Sequence, residues 1–475
     1  MNHILDYAFS PRSIAIAGAS DQRFSFGHHF LKHLIDYKFS GAVYPINPAR
    51  EQILGLKAYP SLSEVPGKVD LVICCLPARQ VVRLLENCPS REVKVMHVFT
   101  ARLSETGRAD AHKTEKQIKQ AAEKAGVRLI GPNCMGLYSP AAKLSFGYEL
   151  PAESGNIGAM FQSGGAMQML IQFGALQGLY FSKAVSYGNA LDIDESDLLD
   201  YLGKDKDTAI IAAYFEGIKS GRKFIDALKR ASAVKPVIAI KGGRGNAGSR
   251  AVTSHTASIA GSQDLWSTAF AQAGAIEVRD ISELINMLML FKCLPPVRGK
   301  RAGIMGGGGG KCVIAADLAE EKGLNVPPLS EDVRNELKSI VPALWDWLSN
   351  PIDFSIWGDD AIHAGRIPEL FSNSQDFDFV IGQVSDDNPL PPDISDNIVT
   401  MEADTMINTY LSRKKPFVAV LTSAKPGFAD LENNKWRTYL QIRSKLIAAG
   451  VPTFDTFSEA AESLSKFIRY WQNRA

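Results

Sequence analysis

The sequence lacks paired cysteine motifs, an excess of charge and long apolar runs, and each absence excludes a class of protein. Its six cysteines form no CxxC pair, so we expect reduced thiols in a cytoplasmic protein, with no metal cluster and no other metal site. The formal net charge of +1 argues against a dedicated nucleic-acid binder. No apolar run reaches the roughly 18 residues typical of a membrane span. The first residues lack the basic and apolar parts of a signal peptide.

What remains is the composition of an ordinary globular chain. Of its 475 residues, 45% are hydrophobic and 22% are charged, and the length leaves room for about three domains. In the first part of the chain, apolar runs typical of buried parallel strands alternate with helical segments. This alternation predicts a doubly wound α/β sheet. We therefore predict a Rossmann-like domain over residues 1–145 and two further parallel-sheet domains over residues 150–293 and 299–475.

The loop after the first predicted strand contains glycines without forming a dinucleotide fingerprint. The strand runs into Gly18-Ala19-Ser20, and Gly27 follows before a helix, a spacing that is not GxGxxG. A glycine at such a turn beside a helix N-terminus suits a phosphate, although many α/β folds place glycine there for packing. The second strand ends in the segment 44–50, which includes Arg50 but no acid to hold the ribose of NAD. A cation there favours a phosphorylated ribose, such as the one in CoA.

Two predicted strands of the second domain end in groups that could bind or orient a phosphate. Gln162-Ser163-Gly164-Gly165 follows one strand and precedes a helix predicted to begin near Ala166. Its free N–H groups and the helix dipole favour an anion, or Ser163 is simply an N-cap with glycines for packing. Glu216 follows another strand. It is either a solvated loop residue or a carboxylate that holds the Nδ1–H of an imidazole and leaves Nε2 as a nucleophile.

The most distinctive stretch is the segment 249–262, which contains His255. It follows the apolar run Val237–Ile240 and a glycine-rich segment, and it precedes a helix predicted over Gln263–Ala273. His255 is therefore predicted to lie on a long loop at the carboxyl end of a strand, where open α/β sheets place their ligands. The other interpretation, which is the usual one for an isolated histidine, is that His255 only caps or braces a loop. Its small, hydroxylated and cationic neighbours suit an imidazole that approaches a phosphate.

Together these motifs resemble the NDP-forming acyl-CoA synthetases, the superfamily that includes succinyl-CoA synthetase. The segment around His255 is similar to the family's phosphohistidine loop, with Ala257 and Ile259 in place of a usual Gly and Leu. The motifs that resemble its CoA-binding domain are Gly18-Ala19-Ser20, Tyr44 to Pro48, Leu76-Pro77 and Gly131 to Gly136. The resemblance implies a Rossmann-like CoA-binding domain followed by two flavodoxin-like domains similar to those of succinyl-CoA synthetase.

The resemblance also implies roles for individual residues. His255 would carry the phosphoryl group, and Glu216 would orient its imidazole. The phosphate would be bound at Ser163, Gly164 and Gly165. The residues expected at the CoA site are Gly18, Ser20, Asn47, Pro48, Arg50, Leu76, Pro77 and Asn133.

One residue departs from the family pattern. The chain has Ala101-Arg102-Leu103 where the family usually has Ala-Gly-Phe. Arg102 could pair with a phosphate or an acyl carboxylate, or could block the path of the pantetheine. The sequence leaves these alternatives open.

The last third of the chain contains a run of glycines that resembles a P-loop without matching its spacing. In Gly306 to Lys311 the spacing of GxxxxGK[ST] fails, because Met305 stands at the first glycine position and Cys312 at the Ser/Thr position. A glycine-rich turn between a strand and a helix fits better. No segment resembles a nucleotide-binding ATP-grasp domain, so we expect that domain on a partner chain.

We therefore predict the α subunit of an ADP-forming acyl-CoA synthetase, an acid–thiol ligase. It would interconvert acyl-CoA, ADP and phosphate with a small carboxylic acid, CoA and ATP. CoA would bind this chain, and ADP or ATP with Mg²⁺ would bind an ATP-grasp β subunit in an α2β2 assembly. The alternatives are a non-catalytic CoA- or acyl-CoA-binding regulator and an NAD(P)-dependent oxidoreductase.

Overall fold

The structure is a computed structural model, and it describes residues 3–88, 93–248, 250, 263–354, 366–384, 391–421 and 434–474. The chain divides into two units, residues 1–285 and 286–475. Throughout these described ranges, no helix combines the length and the apolar character needed to cross a membrane.

The apolar runs near the N-terminus form a five-stranded parallel sheet in the order β2-β1-β5-β6-β7. Its central strands are buried along their whole length, which explains why they are continuous apolar runs rather than alternating ones. The elements are α1 (Asp6–Phe9), β1 (Ser13–Ala17), α2 (Phe26–Asp36), β2 (Ala42–Ile46), the hairpin strands β3 (Gln52–Ile53) and β4 (Leu56–Lys57), β5 (Val69–Cys74), α3 (Ala78–Glu86), β6 (Val93–Val98), α4 (Ala109–Ala125) and β7 (Arg128–Ile130).

A second sheet of six strands follows in the order β13-β12-β11-β9-β10-β8. All neighbours in it pair in parallel except the edge strand β8, which is antiparallel to β10. The elements are β8 (Gly136–Tyr138), β9 (Ile157–Phe161), α5 (Gly164–Leu176), β10 (Phe181–Ser186), α6 (Glu195–Lys204), β11 (Ile210–Phe215), α7 (Gly221–Val234), β12 (Val237–Lys241), α8 (Gln263–Ala273), β13 (Ile276–Val278) and α9 (Ile281–Cys293).

The register of the second sheet aligns the carboxyl ends of four strands, β9, β10, β11 and β12. Phe161 pairs with both Ser186 and Tyr214, and Phe215 pairs with Lys241. The residues that follow these strands therefore meet at one edge. We call it the carboxyl edge of the second sheet, defined by Phe161, Ser186, Phe215, Lys241 and the residues directly after them.

The unit of residues 286–475 contains a four-stranded parallel sheet in the order β14-β15-β16-β17. The elements are β14 (Ala302–Met305), α10 (Gly309–Glu321), α11 (Glu331–Ile340), α12 (Arg366–Asn373), β15 (Phe379–Gln383), α13 (Pro392–Leu411), β16 (Phe417–Val420), α14 (Asn434–Ala448), β17 (Thr453–Phe454) and α15 (Phe457–Gln472). A Cβ at Gly306, whose φ is +90°, would overlap the carbonyl of Gln383, so the glycine run serves a close turn between strand and helix.

The predicted α/β class with parallel sheets is confirmed. The domain limits 1–145, 150–293 and 299–475 stay a prediction. The long helix α13 begins at Pro392. Proline is well suited to the first helical position, because its missing N–H would have no partner there.

Candidate active site

The turn after β1 needs glycine at two positions. Gly18 has φ of +87°, and a Cβ on it would lie 3.1 Å from Leu76 Cδ2. A Cβ on Gly27 would overlap the Gly18 carbonyl, so the start of α2 packs directly on the turn. Backbone is therefore exposed at the end of β1 beside a helix N-terminus, as a phosphate site requires.

The side chain of Asn47, which follows β2, is hydrogen-bonded to the turn that follows β1. Its Nδ2 donates to the Ala19 carbonyl at 2.8 Å, and its Oδ1 accepts the Ala49 N–H at 2.8 Å. The Ser20 hydroxyl accepts the Gln22 N–H at 3.0 Å. The predicted CoA residues Ser20 and Asn47 therefore stand on neighbouring turns that hydrogen bonds hold in place. Pro48 and Arg50 follow on the exposed part of the same loop.

The remaining predicted CoA residues are joined through Thr100. The Thr100 hydroxyl donates to the Leu76 carbonyl at 2.6 Å, and the Thr100 carbonyl accepts the Asn133 N–H at 2.9 Å. Pro77 is exposed and is the N-cap residue of α3. Because Leu76 also contacts Gly18, the structure brings the predicted CoA residues of four strand ends to one edge of the first sheet.

Arg102 lies on the loop between β6 and α4. Its φ is +68°, and its N–H donates to Glu105. The other carboxylate oxygen of Glu105 accepts from Asn189 Nδ2 at 2.8 Å, and the same amide lies 3.2 Å from Glu115 Oε2. Asn189 comes from the loop after β10, so this network fixes the Arg102 loop against the carboxyl edge of the second sheet. The guanidinium of Arg102 is exposed.

The helix α5 begins two residues earlier than predicted, directly after Ser163. The Ser163 hydroxyl accepts the Ala166 N–H at 3.4 Å, so Ser163 is the N-cap. A Cβ on Gly164 would overlap Met135, whereas nothing lies within 4 Å of a Cβ on Gly165. Gly164 is thus required for packing, and Gly165 leaves the first turn of α5 open.

Glu216 is buried at the end of β11, with only 4% of its surface exposed. Gln162 holds its backbone, because Gln162 Oε1 accepts the Glu216 N–H and, at 3.0 Å, the Gly217 N–H. Burial raises the pKa of Tyr214, and the charge of Glu216 and a hydrogen bond to its side chain raise it further. Glu216 is therefore a buried residue whose carboxylate is bonded to Tyr214, and it is not the solvated loop residue that the sequence left open.

Sequence reasoning missed Lys241, the last residue of β12. It is only 2% exposed, its ammonium donates to the Gly242 carbonyl, and its Nζ lies 5.2 Å from the ring centroid of Trp266. Burial lowers the pKa of Lys241 to about 8, Glu216 acts in the opposite direction, and Arg244 lowers it further. The available signal was a lysine at the end of an otherwise apolar strand.

A pocket of about 350 Å³ opens at this edge. It is lined by Ala166, Tyr214, Ile240, Lys241, Gly242, Gly243, Arg244, Arg279, Asp280 and Ile281. The lining joins the first turn of α5 to the segment that leads toward His255. His255 itself, with residues 249 and 251–262, lies outside the described residues, so its place relative to Glu216 stays a prediction.

Comparison with known proteins decides the family. Residues 12–140 match the model of a CoA binding domain, and residues 154–291 match a succinyl-CoA ligase like flavodoxin domain. The α subunit of the ADP-forming acetate–CoA ligase II of Pyrococcus furiosus is 38% identical over 366 residues, which is 77% of this chain and 79% of that one. The chain belongs to the family of ADP-forming acyl-CoA synthetases.

Two further relatives show how much of the chain is similar to members of this family. The ADP-forming acetate–CoA ligase I of Archaeoglobus fulgidus is 35% identical over 79% of this chain, but the match spans only 54% of that protein. The acetyl-coenzyme A synthetase 1 of Ca. Korarchaeum cryptofilum, solved with phosphate and ADP, matches with a TM-score of 0.84 and 29% identity. That match covers 100% of this chain and 99% of the solved chain.

The family assignment confirms the predicted resemblance and the predicted class of enzyme, a CoA ligase. The first sheet is that of a CoA-binding domain and the second is that of a succinyl-CoA ligase-like domain. The roles of individual residues stay predictions, and they are taken up in the proposal that follows.

Proposed function

We propose that this chain is the α subunit of an ADP-forming acyl-CoA synthetase that acts on a small carboxylic acid. The relatives that are named acetate–CoA ligases favour acetate as the first acid to test. The net reaction converts acyl-CoA, phosphate and ADP into the acid, CoA and ATP, and it is reversible.

The first half of the reaction takes place where CoA binds. Gly18, Ser20 and Asn47 hold the phosphates and adenosine of CoA, with Arg50 at the exposed end of the same loop. Phosphate attacks the thioester carbonyl, the carbon–sulfur bond breaks, and CoA leaves as the thiolate. The product is an acyl phosphate.

The second half moves the phosphoryl group to His255. Its Nε2 attacks phosphorus, and the bond from phosphorus to the acyl oxygen breaks, so that the acid leaves as a carboxylate. Glu216 accepts the Nδ1–H and stabilises the imidazolium that forms. The N–H groups around Ser163, Gly164 and Gly165 bind the phosphoryl oxygens. ADP, held with Mg²⁺ by an ATP-grasp partner in an α2β2 assembly, then accepts the phosphoryl group.

One observation carries this proposal. Gln162 directly precedes the N-cap of α5, and its side chain holds the backbone of Glu216 and Gly217. The backbone of a buried glutamate is therefore held by the residue that comes directly before the N-cap of a helix with an open first turn. This is the arrangement that an imidazole needs when it must be oriented on one side and phosphorylated on the other.

The test is co-expression with a candidate ATP-grasp chain, followed by a screen of acids for CoA-dependent formation of ADP from ATP. We expect turnover with the complex, and incorporation of labelled phosphate that is lost in His255→Asn. The matched control is His112→Asn, since His112 is exposed on α4. Full turnover by His255→Asn would contradict the mechanism.

The same experiment separates the two alternatives. A regulator would bind CoA without labelling His255 even when the partner chain is present. An NAD(P)-dependent oxidoreductase would bind NADH tightly and would not bind CoA.

A further inference from the structure

A partly exposed pair of aromatic rings lies at the edge of the first sheet where the predicted CoA residues meet. Phe99 directly follows β6, and its ring centroid lies 4.2 Å from that of Phe26, the first residue of α2. The side chain of Phe26 is 52% exposed, and Phe99 is half-buried. We call these two rings the aromatic platform. None of the steps proposed so far uses it.

The start of α2 holds the Phe26 ring in place. The next residue, Gly27, packs directly on the carbonyl of Gly18, and a Cβ there would overlap that carbonyl. The residue before Phe26 is Ser25, the N-cap of the helix, whose hydroxyl accepts the His28 N–H at 3.2 Å. Phe26 is therefore fixed beside the turn at which we expect the phosphates of CoA.

The end of β6 holds the second ring beside other predicted CoA residues. The Phe99 N–H donates to the carbonyl of Cys74, the last residue of β5, at 3.0 Å. The next residue, Thr100, is the one that bonds to both Leu76 and Asn133. Because the strand order is β1-β5-β6, the platform joins the segments that follow β1 and β6, on either side of β5.

Packing in the core does not explain the exposure of Phe26. Phe30, one turn later on α2, is only 3% exposed, and it packs edge-on against Phe99 with ring centroids 5.6 Å apart. Phe30 therefore already packs Phe99 against the interior, whereas Phe26 leaves half of its surface in solvent. An exposed aromatic ring among convergent backbone polar groups is typical of a ligand site.

The strand order indicates which part of CoA reaches the platform. In the proposed function, the adenosine and phosphates of CoA bind at the ends of β2 and β1, and the acyl group is delivered to the second sheet. The end of β6 lies two strands beyond β1, next to β7. The segment after β7 contacts the second sheet, because the Pro132 carbonyl accepts the Asn189 N–H at 3.0 Å. The pantetheine arm, which links the phosphates of CoA to the thioester, therefore crosses the platform.

We infer that the aromatic platform binds the pantetheine arm of CoA through the two geminal methyl groups of the arm, with Phe26 as the main contact. The inference rests on the proposed function, in which CoA binds this edge. The geminal methyl groups are the apolar part of the arm and lie close to the pyrophosphate, and the Phe26 ring lies next to the expected phosphate site. Covering the rings removes apolar surface from water and directs the thioester toward the second sheet.

The test compares CoA with adenosine 3′,5′-bisphosphate, which lacks the pantetheine arm, in calorimetric titrations of the full chain. Phe26→Ala should bind CoA roughly tenfold more weakly than wild type, the loss expected when about 50 Å² of apolar contact is removed. Its affinity for the bisphosphate should be unchanged, because that molecule does not reach the platform. Phe26→Leu keeps most of the apolar surface and should recover most of the affinity for CoA.

Ile35→Ala is the matched control. Ile35 lies near the other end of α2 and is 38% exposed, so its replacement also removes an exposed apolar side chain from this helix. Its affinities for CoA and for the bisphosphate should match those of wild type. A purely structural role of Phe26 would instead weaken the binding of both molecules together, since both depend on the turn beside Gly18.

A second measurement detects the contact directly. The aromatic protons of the chain are saturated, and the transfer of saturation to the geminal methyl signals of CoA is measured by NMR at equal occupancy of the site. The transfer should fall by at least half in Phe26→Ala and stay unchanged in Ile35→Ala.

The outcomes separate this inference from the proposed function. Equal affinity of wild type and Phe26→Ala for CoA, or equal losses for CoA and the bisphosphate, overturns the role of the platform. A wild-type chain that binds CoA but is not labelled at His255 in the presence of its partner overturns the phosphoryl-transfer mechanism, and the titrations still decide the role of the platform. A wild-type chain that binds no CoA overturns both.

Discussion

Replacing Lys241 by methionine should stabilise the chain near neutral pH, although it removes a contact. Burial lowers the pKa of Lys241 from 10.5 to about 8, so below pH 8 the folded protein contains an ammonium ion in a place that favours the neutral amine. A difference of about 2.5 pH units corresponds to roughly 3 kcal/mol. The lost hydrogen bond to the Gly242 carbonyl costs about 1 kcal/mol, which leaves a net gain of about 2 kcal/mol. Methionine is unbranched and fits a lysine stem well.

The stability difference between Lys241→Met and wild type should depend on pH, and the direction of this dependence follows from the lowered pKa of Lys241. Between pH 8 and 10.5 the unfolded chain binds more protons at this lysine than the folded chain does, so wild-type stability rises with pH in this window. Methionine has no such dependence. The advantage of Lys241→Met should therefore be complete below pH 8, shrink as the pH rises, and disappear by about pH 10.5.

The assay is urea unfolding at pH 7.0, 8.5 and 9.5, followed by pulsed hydrogen exchange so that peptides of residues 1–285 report on their own unit. Lys241→Arg, which keeps the charge, should not gain stability at pH 7. The reasoning is refuted if Lys241→Met is less stable than wild type at pH 7, or if its advantage is the same at pH 7.0 and 9.5.

Four further predictions concern the same unit of the chain. Gly164→Ala should lower the free energy of unfolding by roughly 1–3 kcal/mol because its Cβ overlaps Met135, whereas the Cβ of Gly165→Ala meets open space, so this substitution should be neutral or slightly stabilising. Equal losses of the two variants in urea unfolding would contradict this difference. Gln162→Leu leaves the N–H groups of Glu216 and Gly217 without their acceptor, so we expect the free energy of unfolding to fall by about 2–3 kcal/mol and the labelling of His255 to slow. Full activity of this variant would speak against the proposed arrangement. Burial lowers the pKa of His97 to about 4, below its usual 6.5, so the unfolded chain binds more protons than the folded one between pH 6.5 and 4 and stability falls as the pH drops through this window; His97→Gln should lose about 2 kcal/mol of this dependence in urea unfolding at pH 7 and 5, with the remainder coming from other groups such as His33. Arg102→Gly should raise the free energy of unfolding by about 1 kcal/mol, because a left-handed φ of +68° is strained for arginine. Calorimetric titration of the same variant with CoA tests the function of Arg102. A tenfold loss of affinity would assign the guanidinium to a CoA phosphate, and an unchanged affinity would exclude that role.

The sheets could be predicted from sequence because their signal is local. Buried parallel strands are continuous apolar runs, so segments such as Val237–Ile240 and Ile210–Phe215 are visible without knowing their neighbours. The turn glycines were visible for the same reason, although their steric causes were not. The start of α5 was placed two residues late, because the N-cap role of Ser163 depends on a single hydrogen bond to Ala166.

The contacts that organise the candidate site could not be predicted, because they join residues that are distant in sequence. Gln162 and Gly217 are 55 residues apart, and they meet only because β9 and β11 are neighbours in the sheet. A lysine at the end of a strand normally lies in solvent. Its burial follows from the register of β11 with β12 and from the ring of Trp266, and neither is present in the local sequence pattern.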